Sequence, residues 1–295
     1  MLPPADSTCT AHTMYASNLL IDSTILITGG GTGLGRAMAL RFAALGAKVA
    51  ILGRRAEPLE ETVAAIRAGG GVAAWTSCDV RDVVAVRAAV DALEVEVGPI
   101  TALVNNAAGN FLSPTEDLSA NAFAAVIHIV LSGTFHMTQE LGKRWIARGG
   151  GGSVLSIATT YAWTGSAFVV PSACAKAGVL VMMKSLAVEW ANYGIRLNAI
   201  APGPFPTEGA FSRLMPDGAH DSDALKQIPL ARYGDPAELA NLAAYILSPM
   251  ATYMTGECVV LDGGEHLKAG QEFSHFTDHP RDEVKALMAL MRPRK

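Results

Sequence analysis

Cysteine is scarce, and its placement matters more than its number. Cys9, Cys78, Cys174 and Cys258 are far apart and form neither a C-x-x-C pair nor a Cys/His cluster. That spacing offers no disulfide framework and no zinc site, so free thiols in a reducing compartment and no bound metal are expected. The seven histidines are equally scattered, and His128 and His136 fall in an apolar helical stretch where packed or surface roles are expected. Basic charge is not in excess: the formal net charge is -4. A nucleic-acid partner is therefore not expected, and any anion site must be local. No uninterrupted apolar run is long enough to span a bilayer, because Lys184, Glu189 or glycines break the most apolar segments. A soluble chain with no membrane partner is the expectation. Residues 1–22 carry Asp6 and Asp22 but no Arg or Lys, unlike a signal or transit peptide, and the terminal RPRK is not a peroxisomal SKL address. These features predict a cytoplasmic location.

Half of the 295 residues are hydrophobic, enough to bury one sizeable core. From Ser23 onward, short β-branched runs alternate with longer helical patterns, the signature of βαβ units and a parallel sheet. Strands are predicted at 23–28, 48–52, 73–78, 101–105, 153–158, 196–201 and 257–262. Helices are predicted at 33–45, 57–67, 83–95, 120–147, 172–193 and 236–247. The fold class is α/β: one Rossmann-like, doubly wound domain, with a seven-stranded, mostly parallel sheet and helices on both faces. Residues 1–22 read as an N-terminal extension and 23–264 as the domain. Within it, the Pro- and Gly-rich connection 202–229 reads as a lid. Residues 265–295 form a tail containing RDEVKALMALM, a predicted amphipathic helix. Several helices are apolar on most faces, which suits a buried monomer helix or a subunit interface.

The first strand runs straight into TGGGTGLGRAMA. Thr28, Gly29, Gly31, Thr32, Gly33, Leu34 and Gly35 stand where a strand must turn sharply into a helix and admit a pyrophosphate to its N-terminus. After the second strand, Arg54 and Arg55 occupy the region where an NAD-selective site places a carboxylate for the ribose 2′-hydroxyl. Guanidinium groups favour a 2′-phosphate, so NADP(H) is the expected cofactor. Asp79 in CDVRD suits an adenine amino group or a helix N-cap equally. NNAAG, including Asn106, follows the fourth strand with small residues that allow close approach.

TGGGTGLG, CDV, NNAAG, AKAGV and PGP occur in the order found in the short-chain dehydrogenase/reductase family, across nearly all of Leu20 to Gly264. This resemblance implies a nicotinamide cofactor, contacts from Pro202, Gly203, Pro204 and Phe205, and a homotetramer or homodimer built on the two long apolar helices. That family generally works with Asn, Ser, Tyr and Lys. Here Lys176 is present, but Ser172 stands at the tyrosine position, Thr159 at the serine position and Val130 at the helix asparagine position. Ser172 and Lys176 are one helical turn apart and their heads can meet. A serine hydroxyl is nevertheless a far weaker acid than a phenol, whose reference pKa is about 10. Tyr161 beyond the fifth strand and Asn110 beyond the fourth can bring a phenol and an amide to one substrate oxygen.

The segments NNAAGNFLSPTE, TTYAWTGSAFVVPSACAKAGV and PGPFPTEGAFSRL resemble the mitochondrial-type 2,4-dienoyl-CoA reductases. That resemblance implies that Tyr161 and Asn110 hydrogen-bond the thioester oxygen, Lys176 holds the nicotinamide ribose and Ser172 supports the network. It also implies a fatty acyl-CoA substrate touched by Arg81, Phe111, Ser119 and Arg213, hydride addition at Cδ and a 3-enoyl-CoA product in unsaturated fatty acid oxidation. A related enoyl-CoA or carbonyl reductase, or a catalytically silent NADP(H)-binding protein, remains the alternative.

Overall fold

The computed structural model describes residues 15–207, 222–269 and 274–290. Seven strands are present among them: β1 (Thr24–Thr28), β2 (Lys48–Gly53), β3 (Ala73–Ser77), β4 (Ala102–Asn105), β5 (Gly152–Ile157), β6 (Ile195–Pro202) and β7 (Cys258–Leu261). The helices are α1 (Gly33–Ala44), α2 (Ala56–Ala68), α3 (Val83–Val97), α4 (Ala120–Ile127), α5 (Gly133–Arg148), α6 (Tyr161–Thr164), α7 (Val170–Glu189), α8 (Ser222–Gln227), α9 (Pro236–Leu247), α10 (Glu265–Ala269) and α11 (Arg281–Leu290).

The strands form one sheet in the order β3-β2-β1-β4-β5-β6-β7, and every pairing is parallel. The chain winds outward from β1 to β3, then returns to the opposite side of β1 as β4. That reversal opens a crevice at the carboxyl ends of β1 and β4, where ligands of such sheets bind.

Strand residues point alternately to the two faces. Ile25 and Ile27 enter a core with Met38 and Phe42 of α1, Val63 of α2 and Leu239 of α9. Leu26 points the other way, into a core with Val90 of α3, Met137 and Trp145 of α5, and Met183 of α7. Burial on both faces explains why TILIT and KVAILG read as nearly continuous apolar runs. The packed body starts ahead of β1: Leu20 is buried, and its N–H donates to Leu45 O at 2.9 Å. At the other end, Val284 of α11 is buried as well.

Two expectations about the long helices need correction. Residues 120–147 are not one α-helix: a π turn at His128–Ser132 separates α4 from α5. At this joint Thr134 Oγ1 donates to Val130 O at 2.6 Å, and Gly133 packs so closely that a Cβ would come 2.5 Å from Val80 Cγ2. Secondly, Ala120–Arg148 and Val170–Glu189 have the length and apolarity of membrane-crossing helices among the described residues. Short polar interruptions do not offset the many Ala, Val, Leu and Met residues around them. Both segments pack part of their surface against the sheet and leave the larger part outside that core.

Candidate active site

The phosphate-facing turn is made by backbone. After Thr28 the chain passes through Gly29 (φ 66°) and Gly33 (φ 52°), values that favour glycine, and enters α1. Gly35 is demanded by space, since a Cβ there would lie 2.2 Å from Gly29 O and 2.7 Å from Asn106 Nδ2. Thr32 makes no side-chain cap and no acidic residue stands in the first turn of α1, which leaves its amide donors for an anion. The Thr28 hydroxyl accepts from Asn106 N (3.0 Å) and Ala107 N (2.8 Å). Asn106 Nδ2 donates in return to Thr28 O (3.0 Å) and Gly29 O (3.2 Å), locking the two loops together.

A cavity of about 670 Å³ occupies the crevice, a size suited to a cofactor. It is lined by Gly29, Gly31, Thr32, Gly33 and Leu34, by Arg54 and Arg55 after β2, by Asp79 after β3, by Asn106 and Asn110 after β4, and by Thr207. Arg54 and Arg55 are exposed, and neither forms an ion pair with a described residue. Asp79 is engaged: its carboxylate accepts from Arg81 Nε (3.0 Å) and Nη2 (2.5 Å), which holds its pKa below the ordinary value against opposing desolvation. Burial, and then Asp79 and Asp82, push the Cys78 thiol up to about 11, so this lining thiol stays protonated at neutral pH.

Beyond β4 and β5 the site is made by side chains. Tyr161 Oη and Ser172 Oγ are 3.0 Å apart, and Asn110 Nδ2 donates to Tyr161 Oη at 3.4 Å. Thus a phenol from α6, an amide from the loop after β4 and a hydroxyl from α7 converge on one point. Pro171 in the first turn of α7 starts that helix earlier than the sequence pattern predicts, so Ser172 lies inside it. One turn on, Lys176 is buried and its Nζ donates to Ile157 O. Desolvation pushes this ammonium down to about 8. Val130 is buried with Val126, Ala175 and Val179 and supplies no side-chain donor.

Several predicted residues, Lys176, Tyr161 and Ser172 among them, do not line the main cavity. Thr28 and Gly35 shape the crevice from behind and do not line it. Pro202, Gly203, Pro204 and Phe205 also fall outside the main cavity's lining; Pro204 and Phe205 border a separate small cavity with Leu230 and Asp262. The reason is close packing: a Cβ on Gly203 would meet Asp262 Cα at 2.7 Å, and Phe205 is buried against Gly234. Thr207, which pattern reading missed, faces the main cavity instead. Ser119 caps α4 by accepting from Ala122 N at 3.1 Å, and Arg81 is taken up by Asp79. Phe111 is half-buried beside the Val126–Val179 cluster, its N–H donating to Asn110 Oδ1 at 2.9 Å. Arg213 lies outside the described residues, as does much of the predicted lid.

Leu112 and Phe168 were also missed. Both are exposed, and Ser113 N donates to Phe168 O at 3.0 Å, so their loops meet beside the Asn110 and Tyr161 segments. Phe168 has φ 64°, an uncommon value for an aromatic residue. An irregular backbone angle leaves no sequence signal unless glycine or asparagine occupies it.

The profile of the family described as enoyl-(acyl carrier protein) reductase matches residues 29–266. The chain belongs to the short-chain dehydrogenase/reductase family. Like other members of this family, it is an oxidoreductase with a nicotinamide cofactor. A short-chain dehydrogenase of Bacillus anthracis has a similar structure, with TM-score 0.76 and 44% identity over 84% of this chain and 98% of its own. Among curated relatives, a Caenorhabditis elegans protein named a probable (3E)-enoyl-CoA-producing 2,4-dienoyl-CoA reductase is 46% identical over 86% of this chain and 85% of its own length. A Bacillus subtilis protein named a probable (2E)-enoyl-CoA-producing 2,4-dienoyl-CoA reductase is 45% identical over 82% and 96%, respectively.

Proposed function

We propose that this protein is an NADPH-dependent 2,4-dienoyl-CoA reductase acting in the oxidation of unsaturated fatty acids. The observation that carries this reading is the convergence of Tyr161, Asn110 and Ser172 next to buried Lys176, with the phenol displaced from the position most of the family uses. The two relatives named 2,4-dienoyl-CoA reductases support the same substrate class. The exposed apolar residues Leu112 and Phe168 beside this cluster suit an acyl chain.

The glycine turn and the N-terminus of α1 fit a pyrophosphate, and the free guanidinium groups of Arg54 and Arg55 fit a 2′-phosphate. Lys176 would hold the nicotinamide ribose. When bound, NADPH supplies the hydride that adds to Cδ of the diene. Tyr161 and Asn110 donate to the thioester oxygen, on which negative charge grows as the dienolate forms. Ser172 exchanges its bond with Tyr161 as the phenol turns to that oxygen. Conjugate addition needs donors at the oxygen and none at the carbon that receives hydride, so a serine at position 172 is no handicap.

Proton delivery to Cα gives a 3-enoyl-CoA, and delivery to Cγ gives a 2-enoyl-CoA. We assign this protein delivery at Cα, from water. The test is NADPH oxidation with a 2,4-dienoyl-CoA, a 2-enoyl-CoA and a 3-ketoacyl-CoA, with the product double bond located by NMR. Turnover confined to the dienoyl-CoA with a 3-enoyl product is expected; preferential turnover of either other substrate defeats the reading. A 2-enoyl product would move the proton to Cγ.

A further inference from the structure

Helix α6 carries Tyr161, yet little within it fixes its position. It has only four residues, none is buried, and no side chain caps its N-terminus. A helix this short does not persist by itself. Tyr161 is tethered through Ser172 and Asn110, and a phenol that turns to a substrate oxygen gives up part of that tether. Ala162 packs against the core, and a further contact would help to hold the turn while the donor is in use.

The segment after β7 supplies such a contact. Asp262, with its side chain 4% exposed, accepts from Gly264 N (2.8 Å) and His266 N (2.9 Å) and pairs with His266 Nδ1 at 2.6 Å. The carboxylate fixes the imidazole orientation and makes Nδ1 the protonated nitrogen. The imidazole meets the indole of Trp163 edge to face, with ring centroids 6.2 Å apart and planes at 89°. Trp163 lies two residues after Tyr161, in the same single turn. The base of this arm is closely packed: a Cβ on Gly263 would come 2.7 Å from Ile228 Cγ2, and one on Gly264 3.0 Å from Pro229 Cγ. Leu230 N also donates to Gly263 O at 3.2 Å.

We propose that His266, oriented by Asp262, is a positioning residue that holds the Tyr161 turn through its contact with Trp163. It does not touch the reacting atoms. Its effect is to keep the phenol aimed at the thioester oxygen when the Ser172 bond is exchanged. This inference rests on the reading of Tyr161 as the phenolic donor. Tyr161 acts on charge that develops during reaction, so loosening its turn lowers kcat more than it raises KM. Trp163 and His266 lie on neither the glycine turn nor the Arg54–Arg55 loop that the proposed reading gives to the nucleotide, so little change in NADPH affinity is expected.

The experiment measures kcat, KM for a 2,4-dienoyl-CoA and NADPH Kd for Trp163→Leu, His266→Leu, the double variant and Trp163→Phe. Each Leu variant should lose about threefold to tenfold in kcat, the scale of one aromatic pair, with KM and Kd within about twofold. The double variant should be no worse than the poorer single variant, because both remove one contact. Trp163→Phe retains a ring and should recover most of kcat. Unchanged kcat in His266→Leu, additive losses in the double variant, or a parallel loss of NADPH affinity would overturn the proposal. Tyr161→Phe distinguishes the two failures: if it keeps full activity, the reading of Tyr161 fails and takes this inference with it. If Tyr161→Phe is crippled and His266→Leu is not, only the role of His266 falls.

Discussion

The nucleotide half of the crevice and the reacting half are built from different material. Around β1 to β3 the recognising groups are backbone amides and open space, with glycines at Gly29, Gly33 and Gly35 set by φ or by contacts shorter than a Cβ allows. Around β4 to β6 the groups are side chains from separate loops and helices, meeting at Tyr161, Asn110 and Ser172. A backbone cradle tolerates almost no change of residue. A side-chain cluster needs a phenol beside its partner amide, and here α6 rather than α7 carries one. On the proposed reading, that leaves a serine tolerable at the position where most of the family has its tyrosine.

Two substitutions, one in each half, should break the molecule in opposite ways and carry the largest effects. Gly35→Val places a side chain where even a Cβ would lie 2.2 Å from backbone oxygen. It should abolish measurable NADPH binding by titration and lower the unfolding midpoint in urea. Tyr161→Phe removes one donor from the developing oxyanion and should cut kcat by about 100- to 1,000-fold, with NADPH Kd within about twofold. Full diene turnover in Tyr161→Phe would end the assignment of the phenol.

Lys176 is buried one turn after Ser172, and that burial makes a pH prediction. Its ordinary pKa is 10.5, and desolvation in the fold brings it down to about 8. Between those values the unfolded chain holds more protons than the folded one, so this group's contribution to stability rises with pH. Its cost is fully present below about pH 8 and is relieved as pH approaches 10.5. Cys78 and Cys258, whose thiols burial pushes up to about 11, act in the opposite sense above pH 9. The comparison must therefore be between wild type and Lys176→Met, both cofactor-free. From pH 8 to 10.5 wild type should gain on the variant by about 3 kcal/mol in denaturant unfolding. A pH-independent difference would show that the ammonium is solvated.

The arginines test the nucleotide half more gently. Replacing both Arg54 and Arg55 by Ala should weaken NADPH by about tenfold per guanidinium, the scale of a charge-assisted bond, and leave NADH unchanged. Equal losses for both nucleotides would mean that neither arginine reads the 2′-phosphate.

The sheet was legible because each strand is a short β-branched run bounded by glycine or polar turns, and the parallel order followed from the helices between them. The reversal at β1 and β4 then placed Asn110 and Tyr161 on the same edge. The π turn at His128–Ser132 was not legible: HIVLS fits an α-helix equally well, and the close packing of Gly133 on Val80 beside it leaves no local signal. Nor could a pattern show that Asp79 and Arg81 take each other as partners, or that Phe205 turns into the core while Thr207 faces the cavity. The first is a choice among several partners within reach, and the second depends on Gly234, a neighbour distant in sequence. His266 escaped because its ring partner Trp163 is distant in sequence, although Asp262 is only four residues away.

The smallest effect belongs to the residue whose identity is most unusual. Ser172 is buried and its hydroxyl meets Tyr161 Oη at 3.0 Å. Ser172→Ala removes one neutral hydrogen bond, worth about 1 kcal/mol, and leaves Asn110 to orient the phenol. The expected loss in kcat is therefore about fivefold, with NADPH affinity unchanged. If Ser172 were itself the acid, its loss would equal or exceed that of Tyr161→Phe. The ratio of the two variants' kcat values thus measures how completely the phenol has moved from α7 to α6. Installing a phenol at the vacated place sharpens the point: Ser172→Tyr in a Tyr161→Phe background restores the family's common Tyr–Lys spacing, with Thr159 and Val130 unchanged. It should still fail on the diene, because the second donor, Asn110, is aimed at Tyr161 Oη on α6.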